Sequence, residues 1–150
     1  MNIEENSKNI SNQYGPDTSM KRNFKIPYNF KILIVDDDED FLEALSHRLK
    51  RKKIHVVAVE SGYKALAAVE KNGFDLILLD LRMPGMDGVE TFRRIIEIRN
   101  DCFVIIMTAY YEDQRIKIAE EMAPLGFLEK PFDFAQLASY IEKILKEKKQ

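Results

Sequence analysis

The sequence contains a single cysteine, Cys102, no large excess of either charge and no apolar run long enough to cross a bilayer. One cysteine excludes an internal disulfide framework and a zinc site built from several cysteines. The 23 basic and 25 acidic residues are interspersed and give a net charge of −2, so no basic stripe is present to neutralise nucleic-acid phosphates. These absences argue against a disulfide-stabilised secreted fold and against direct binding of nucleic acid.

The first residues, Met1 to Asn6, contain neither the basic segment nor the apolar segment of a secretory signal. No later segment approaches the ~20 apolar residues that a membrane-spanning helix needs. We therefore expect a cytoplasmic protein without membrane insertion.

A chain of 150 residues, of which 45% are hydrophobic and 32% charged, has the size and composition of one domain. Residues 1–29 are rich in Asn, Ser and charge and have no sustained hydrophobic period. We predict a flexible N-terminal extension at 1–29 and a single domain at 30–148. The side chains of the extension best suited to anchor a partner are Tyr14, Phe24, Ile26 and Tyr28.

From residue 31 onwards, short apolar runs alternate with amphipathic stretches. The runs predict strands at Lys31–Val35, His55–Val59, Asp75–Leu79, Phe103–Met107 and Gly126–Leu128. The stretches predict helices at about Asp40–Arg51, Gly62–Lys71, Gly88–Ile98, Asp113–Met122 and Asp133–Glu147. The first helix has an apolar stripe formed by Phe41, Leu42, Leu45 and Leu49.

Several of these strands are apolar almost throughout, which is typical of strands buried on both faces of a parallel sheet. Parallel strands need long crossover connections, usually helices. The alternation therefore predicts an α/β fold with an open, doubly wound, five-stranded parallel sheet. In such sheets the ligand crevice lies beyond the carboxyl ends of the central strands.

Acidic residues follow two of the predicted strands. The first strand runs directly into Asp36, Asp37 and three further acidic residues, and the third is followed by Asp80. If both strands are central, these carboxylates meet in one crevice, where their repulsion raises their pKa values or requires a cation. Mg²⁺ accepts one or two carboxylates while keeping water and phosphate oxygens as ligands, so we predict a magnesium site here.

The fourth and fifth strands deliver Thr108 and Lys130 to the same edge. A carboxylate nucleophile, a metal ion, a hydroxyl and an ammonium together suit phosphoryl transfer. We predict that Asp80 attacks phosphorus while Asp36 and Asp37 hold Mg²⁺ directly or through water. Thr108 and Lys130 each contact a phosphoryl oxygen in this hypothesis. Each residue alone also suits a solvated loop, a cap or an exposed surface, but four successive strand ends deliver the whole set.

Four motifs, in order, resemble the receiver domains of two-component response regulators, over Lys31 to about Glu147. They are Ile34-Val35-Asp36-Asp37-Asp38, the segment from Leu79 to Gly88, Ile106-Met107-Thr108-Ala109 and Lys130-Pro131-Phe132. The resemblance implies a flavodoxin-like receiver fold with strand order 2-1-3-4-5. It also implies that a histidine kinase or a phosphotransfer protein phosphorylates Asp80, and that the chain is a phosphoacceptor rather than an enzyme.

By the same resemblance, the side chains of Asp37 and Asp80 coordinate Mg²⁺. Arg82 adds its backbone carbonyl, and Asp36 joins through water. Arg82 and Tyr110 each lie two residues beyond a site residue. Our hypothesis is that both flank the phosphoryl group and hinder attack by water, the alternative being that they are solvated residues on its rim.

Thr108 and Phe127 match the pair that couples phosphorylation to a binding surface in this family. That surface spans residues 113–147, where we expect a downstream protein to bind, and a phosphorylation-dependent homodimer is an alternative use of it. Phe127 keeps the ring of a tyrosine or histidine but has no polar group, so a ring that is buried throughout is also an alternative. The resemblance further implies a cis peptide between Lys130 and Pro131.

The chain departs from the commonest family pattern at Ala123-Pro124, where many relatives have Gly-Ala. Glycine is the residue that most often ends a helix in the left-handed conformation. The helix end therefore lacks the usual left-handed glycine, and we expect the loop before the last strand to differ.

Other functions remain open from the sequence. A dehalogenase-type phosphatase also uses an aspartate at a strand end with Mg²⁺, but it needs an acid two residues later, where this chain has Arg82. A receiver that only docks partners has no need of the complete phosphorylation set that is present here. A phosphorelay intermediate passes the phosphoryl group onward. Because the chain ends soon after the last predicted helix, we expect output through protein contact or onward phosphotransfer, unless the chain is part of a longer regulator.

Overall fold

The computed structural model describes residues 25–109 and 112–148, within which strands and helices alternate along the chain. The strands are β1 Lys31–Val35, β2 His55–Val59, β3 Leu76–Asp80, β4 Phe103–Thr108 and β5 Gly126–Glu129. The helices are α1 Glu39–Arg51, α2 Gly62–Lys71, α3 Gly88–Ile98, α4 Gln114–Glu121 and α5 Phe134–Lys148. None of these helices is both long and apolar enough to cross a membrane.

The strands form one parallel sheet in the order β2-β1-β3-β4-β5, which confirms the predicted fold and strand order. Val35 at the end of β1 lies opposite Leu79, and Asp80 at the end of β3 lies opposite Met107. Thr108 at the end of β4 lies opposite Glu129. The carboxyl ends of these four strands therefore share one edge of the sheet.

The sheet is covered by helices on both faces, as the apolar strands predict. One core layer joins alternate strand residues such as Leu33, Ile77 and Ile106 to α2, α3 and α4. The other joins the intervening residues, such as Ile32 and Leu76, to α1 and α5. Because neighbouring side chains point to opposite faces of a strand, the central strands are held from both sides and the edge that carries the acidic residues is fixed.

Four helices begin at a residue whose side chain accepts a hydrogen bond from a backbone N–H of the first turn. These N-caps are Asp38 for α1, Ser61 for α2, Asp87 for α3 and Asp113 for α4. Oxygen-bearing side chains are favoured there because the first N–H groups of a helix have no partner within it.

The predicted bounds differ from the structure by a residue at several ends. Asp113 was predicted inside the fourth helix but caps it. Asp80 was predicted to follow the third strand but belongs to it, because pairing with β4 continues as far as Met107.

The loop after α4 keeps a left-handed residue although the glycine is missing. Ala123 has φ +55°, so the chain adopts the left-handed conformation here without the usual glycine. An L-residue with a Cβ adopts it only at a steric cost. The packing of Ile116 and Ala119 on one side of the loop and of Phe127 on the other fixes the path that the chain must follow.

Residues 1–24 of the predicted extension lie outside the described residues. Of the others, Ile26 is half-buried against the core layer of α1 and α5, and Tyr28 is exposed. The N–H of Phe30 donates to the carbonyl of Pro27 at 3.0 Å. The chain therefore contacts the domain core slightly before the residue at which the domain was predicted to start.

Candidate functional site

Three carboxylates meet at the carboxyl edge of the central strands. Asp36, directly after β1, is 1% exposed, and Asp80, the last residue of β3, is 7% exposed. Asp37 is exposed to solvent. One oxygen of each residue lies within 4.8 Å of an oxygen of the other two. The structure thus brings together the three aspartates that the sequence predicted to share a cation.

Backbone hydrogen bonds fix the acidic loop that follows β1. The N–H of Asp36 donates to the carbonyl of Val59 at 3.1 Å, which ties the loop to the edge strand β2. Its Oδ1 accepts from the N–H of Asp38 at 3.0 Å. Asp38 in turn accepts from the N–H of Phe41 at 3.1 Å and caps α1. The orientation of Asp36 is therefore coupled to the start of the first helix.

Lys130 supplies the positive charge of the site. Its Nζ donates to Oδ2 of Asp36 and lies 3.3 Å from Oδ1 of Asp80. Its backbone N–H donates to the carbonyl of Thr108 at 2.8 Å, so the end of β4 holds the loop that carries it. The peptide between Lys130 and Pro131 is cis, as expected.

The charges of the site do not balance. The pKa of Asp80 is raised from 3.8 to about 6, mainly by burial and further by the nearby charge of Asp36, although Lys130 opposes the shift. A single ammonium is thus too little to stabilise the ionised form of Asp80 beside two other carboxylates.

These residues fit a divalent cation such as Mg²⁺. They offer hard oxygen ligands, and the exposed position of Asp37 leaves the cluster open to solvent on one side. Mg²⁺ keeps several waters and prefers this kind of half-open carboxylate site. A bound cation would also supply the positive charge that Asp80 lacks.

Thr108 and Phe127 lie on neighbouring strands. Thr108 ends β4 and is 4% exposed, and Phe127 in β5 is 5% exposed. The ring of Phe127 belongs to the core layer of α2, α3 and α4, and its backbone lies opposite Ile106. The ring of Phe127 is therefore buried in this structure.

Arg82 contacts the start of α4. Its Nε donates to Oδ2 of Asp113 at 2.5 Å, and the side chain of Asp113 is 5% exposed. The pKa of Asp113 is lowered, mainly by the hydrogen bond from the N–H of Arg115 and further by Arg82. Arg115 also reaches Asp87, the cap of α3, at 3.4 Å. Tyr110, which was predicted to act beside Arg82, lies outside the described residues.

The loop between β3 and α3 depends on two glycines for different reasons. Gly85 has φ +79°, a conformation that glycine adopts without steric cost. Gly88 lies so close to β3 that a Cβ would be 2.3 Å from the carbonyl oxygen of Asp80 and 2.7 Å from Cα of Leu81. Gly88 therefore lets α3 begin directly against the end of the strand that carries Asp80.

Sequence reasoning missed the side-chain partners of the site. Asp113 and Arg115 were treated only as helix residues, and Phe41 only as part of an apolar stripe, whereas its ring lies against Lys130. An Asp at the start of an amphipathic stretch is a signal for an N-cap. Nothing in the local pattern indicates that Arg82, 31 positions away, reaches it.

Comparison with known proteins identifies relatives over most of the chain. A family model described as "Response regulator receiver domain" matches residues 32–142. "Sporulation initiation phosphotransferase F" of Bacillus subtilis (strain 168) is 38% identical over 117 residues, which cover 78% of this chain and 94% of that protein. "Transcriptional regulatory protein ZraR" of Escherichia coli (strain K12) is also 38% identical over 117 residues, but the chain spans only 26% of its length.

Solved structures agree with the fold. A two-component response regulator from Clostridium difficile superimposes with a TM-score of 0.75 at 28% identity, over 81% of this chain and all of that chain. A CheY-like receiver domain protein from Methanospirillum hungatei JF-1 also has a TM-score of 0.75, at 26% identity, over 81% of this chain and 98% of that chain.

Proposed function

Because the chain belongs to the response regulator receiver domain family, whose members are phosphoacceptor signalling modules, we propose that its phosphoacceptor is Asp80. The observation that carries this assignment is the difference between the two buried carboxylates. Asp36 has both oxygens engaged, by the N–H of Asp38 and by Lys130. Asp80 has a raised pKa and a looser contact of 3.3 Å to Lys130, so it is the carboxylate best placed to attack.

The proposed metal ligands are the side chains of Asp37 and Asp80, the backbone carbonyl of Arg82 and, through water, Asp36. When bound, Mg²⁺ neutralises charge and orients the phosphoryl oxygens. The observation that supports these ligands is the close grouping of carboxylate oxygens from the three aspartates.

The protein groups then have separate roles in the transfer. A carboxylate oxygen of Asp80 forms the new bond to phosphorus while the bond from phosphorus to a nitrogen of the donor histidine breaks, and the electron pair of that bond stays on the histidine. Lys130 pairs with one phosphoryl oxygen, and the hydroxyl of Thr108 donates to another. Such transfer needs little covalent help from the protein beyond positioning and charge stabilisation.

The family implies a histidine kinase or a phosphotransfer protein as the donor. Beyond that, we propose that the surface at residues 113–147 binds the downstream target. It contains α4, β5 and α5, and the Thr108 and Phe127 pair connects it to the site through paired strands.

Onward phosphotransfer is the second candidate. It is favoured by the similarity to "Sporulation initiation phosphotransferase F", which is 38% identical over 94% of its own length. To test it, the phosphorylated protein is mixed with a histidine phosphotransfer domain. Transfer of label to histidine supports a relay, and release of inorganic phosphate alone contradicts it.

The experiment that tests Asp80 is incubation with acetyl phosphate and Mg²⁺ followed by intact-mass measurement. We expect one phosphoryl adduct in the wild type and none in Asp80→Asn. Asp101→Asn is the matched control, because Asp101 is an exposed aspartate in the loop before β4, at the opposite edge of the sheet, and it should be phosphorylated normally. An adduct that persists in Asp80→Asn would show that another residue is the acceptor.

A further inference from the structure

The ring of Phe41 contacts both Lys130 and the loop that carries it. Nζ of Lys130 lies 4.3 Å from the centroid of the Phe41 ring. Phe132, two residues further along the loop, packs edge-on against the same ring, with centroids 6.1 Å apart and an interplanar angle of 76°. One side chain of α1 therefore supports the loop after β5 at two points.

The backbone of Phe41 is held by the acidic loop itself. Its N–H donates to Oδ1 of Asp38, and the N–H of Asp38 donates to Oδ1 of Asp36. The position of the ring is thereby fixed relative to the carboxylates. Asp36 and the Phe41 ring both contact the ammonium of Lys130, one through charge and the other through its π face.

The two kinds of contact respond differently when positive charge enters the site. Asp36 and Asp80 are the carboxylates that attract Lys130, and both belong to the proposed metal cluster. Their pull on the ammonium weakens once a cation shares their charge. The attraction of an uncharged ring does not depend on those carboxylates, so it persists.

We propose that Phe41 is a positioning residue for Lys130, whose ring face holds the ammonium at the carboxyl edge of the sheet while the acidic cluster is occupied. The inference rests on the proposed function, in which Lys130 contacts the phosphoryl group. The competing explanation is that Phe41 only fills space at the edge of the α1 and α5 core layer. Leucine fills that space nearly as well but has no π face.

The first experiment measures the phosphorylation rate with acetyl phosphate and Mg²⁺. Phe41→Leu should be phosphorylated about threefold to tenfold more slowly, the range expected for a partly buried cation–π contact. Replacing Phe41 by trifluorophenylalanine, which keeps the shape but removes the negative ring face, should give a similar loss. If trifluorophenylalanine leaves the wild-type rate unchanged, the proposal is overturned.

A matched control is available elsewhere in the chain. Nζ of Lys52 lies 4.4 Å from the centroid of the Phe134 ring, and Phe134, like Phe41, is half-buried. Phe134→Leu should therefore cause a similar loss of packing. Phe134 belongs to the proposed target-binding surface, but the assay with acetyl phosphate contains no target, so the phosphorylation rate should stay within about twofold of the wild type. An equal slowing in both variants would mean that packing alone explains the effect and would overturn the proposal.

A second readout is independent of phosphorylation. In a double-mutant cycle of Phe41→Leu and Lys130→Met, followed by urea unfolding without metal, we expect the two changes to be coupled by a factor of about three in the folding equilibrium. If the wild type is not phosphorylated, the proposed function is refuted but the contact between Phe41 and Lys130 is not. The double-mutant cycle would still show whether that contact exists. Strictly additive effects would overturn the inference even if Asp80 is phosphorylated.

Discussion

At the scale of single residues, the chemistry of Asp80 depends more on its surroundings than on its being an aspartate. The same side chain at Asp37 is exposed, whereas at position 80 it is buried beside Asp36 and has a pKa of about 6. Burial and a neighbouring like charge both disfavour ionisation. The proposed acceptor therefore carries an electrostatic cost in the absence of metal.

Removing that charge should stabilise the metal-free protein. Since the pKa of Asp80 in the folded state is raised above its ordinary value, the ionised carboxylate destabilises the fold at pH 7. We expect Asp80→Asn to raise the free energy of unfolding by about 2 kcal/mol in urea denaturation with a chelator present. Asp101→Asn, at an exposed position, should change it by less than about 0.5 kcal/mol. A lower stability of Asp80→Asn would contradict the proposed charge imbalance.

Ala123 gives a second prediction at this scale. Its φ of +55° places a Cβ in the left-handed region, so Ala123→Gly should raise the free energy of unfolding by about 0.5 to 1 kcal/mol. The control is Ala67→Gly at an exposed position inside α2, which should lower it by about 1 kcal/mol. Urea unfolding of both variants measures the difference, and destabilisation by Ala123→Gly would be inconsistent with the left-handed conformation.

At the scale of elements, the loop between β3 and α3 places one helix directly against the strand that carries Asp80. The N–H of Gly88 donates to the carbonyl of Leu81 at 3.0 Å, and Asp87 caps α3. Arg115 at the start of α4 reaches Asp87, and Arg82 reaches Asp113. The starts of α3 and α4 are thus joined to each other and to the residue two positions after Asp80.

Gly88→Ala should disturb this arrangement, because the added Cβ would meet backbone atoms of Asp80 and Leu81 that have no freedom to move aside. We expect a loss of about 2 kcal/mol in the free energy of unfolding together with slower phosphorylation of Asp80. Gly73→Ala is the matched change, since a Cβ added at Gly73 would have no atom within 4 Å, and both quantities should stay close to the wild type. Equal behaviour of the two variants would argue against a packing requirement at Gly88.

At the scale of the whole molecule, we expect the site to couple proton binding, cation binding and folding. The folded state binds a proton at Asp80 more tightly than the unfolded chain does, because the pKa is raised to about 6 from 3.8. Stability without metal should therefore increase as the pH falls from 7 towards 5, and the destabilisation by Asp80 should be complete above pH 6. Mg²⁺ should stabilise the fold at pH 7 by binding the native state.

Urea unfolding of the wild type and of Asp80→Asn at pH 5 and pH 7, each with Mg²⁺ and with chelator, tests this coupling. The difference between the two proteins should be largest at pH 7 with chelator. It should shrink at pH 5, where the carboxyl of Asp80 is mostly protonated in the folded state, and it should also shrink in Mg²⁺. A difference independent of both pH and Mg²⁺ would contradict the coupling. Comparison with the variant removes the contributions to the pH dependence that the two proteins share.

The sequence alone predicted the architecture and the main residues of the candidate site. Continuous apolar runs separated by amphipathic stretches specified parallel strands and covering helices, and the strand ends identified Asp36, Asp80, Thr108 and Lys130. These features are local, since they follow from side-chain periodicity and from the residue that comes next along the chain. Parallel strands connected in one direction must present their carboxyl ends together, so the order of motifs was enough to predict that the residues converge.

Only the tertiary structure decided how these residues are paired. It placed Lys130 against Asp36 and the ring of Phe41, and Arg82 against Asp113. It also buried Phe127 and gave Ala123 a left-handed backbone. Such choices depend on distances between residues that are far apart in the chain and on the desolvation that packing imposes. A local sequence pattern carries neither quantity, because both arise only when the sheet and its two helical layers have closed around the site.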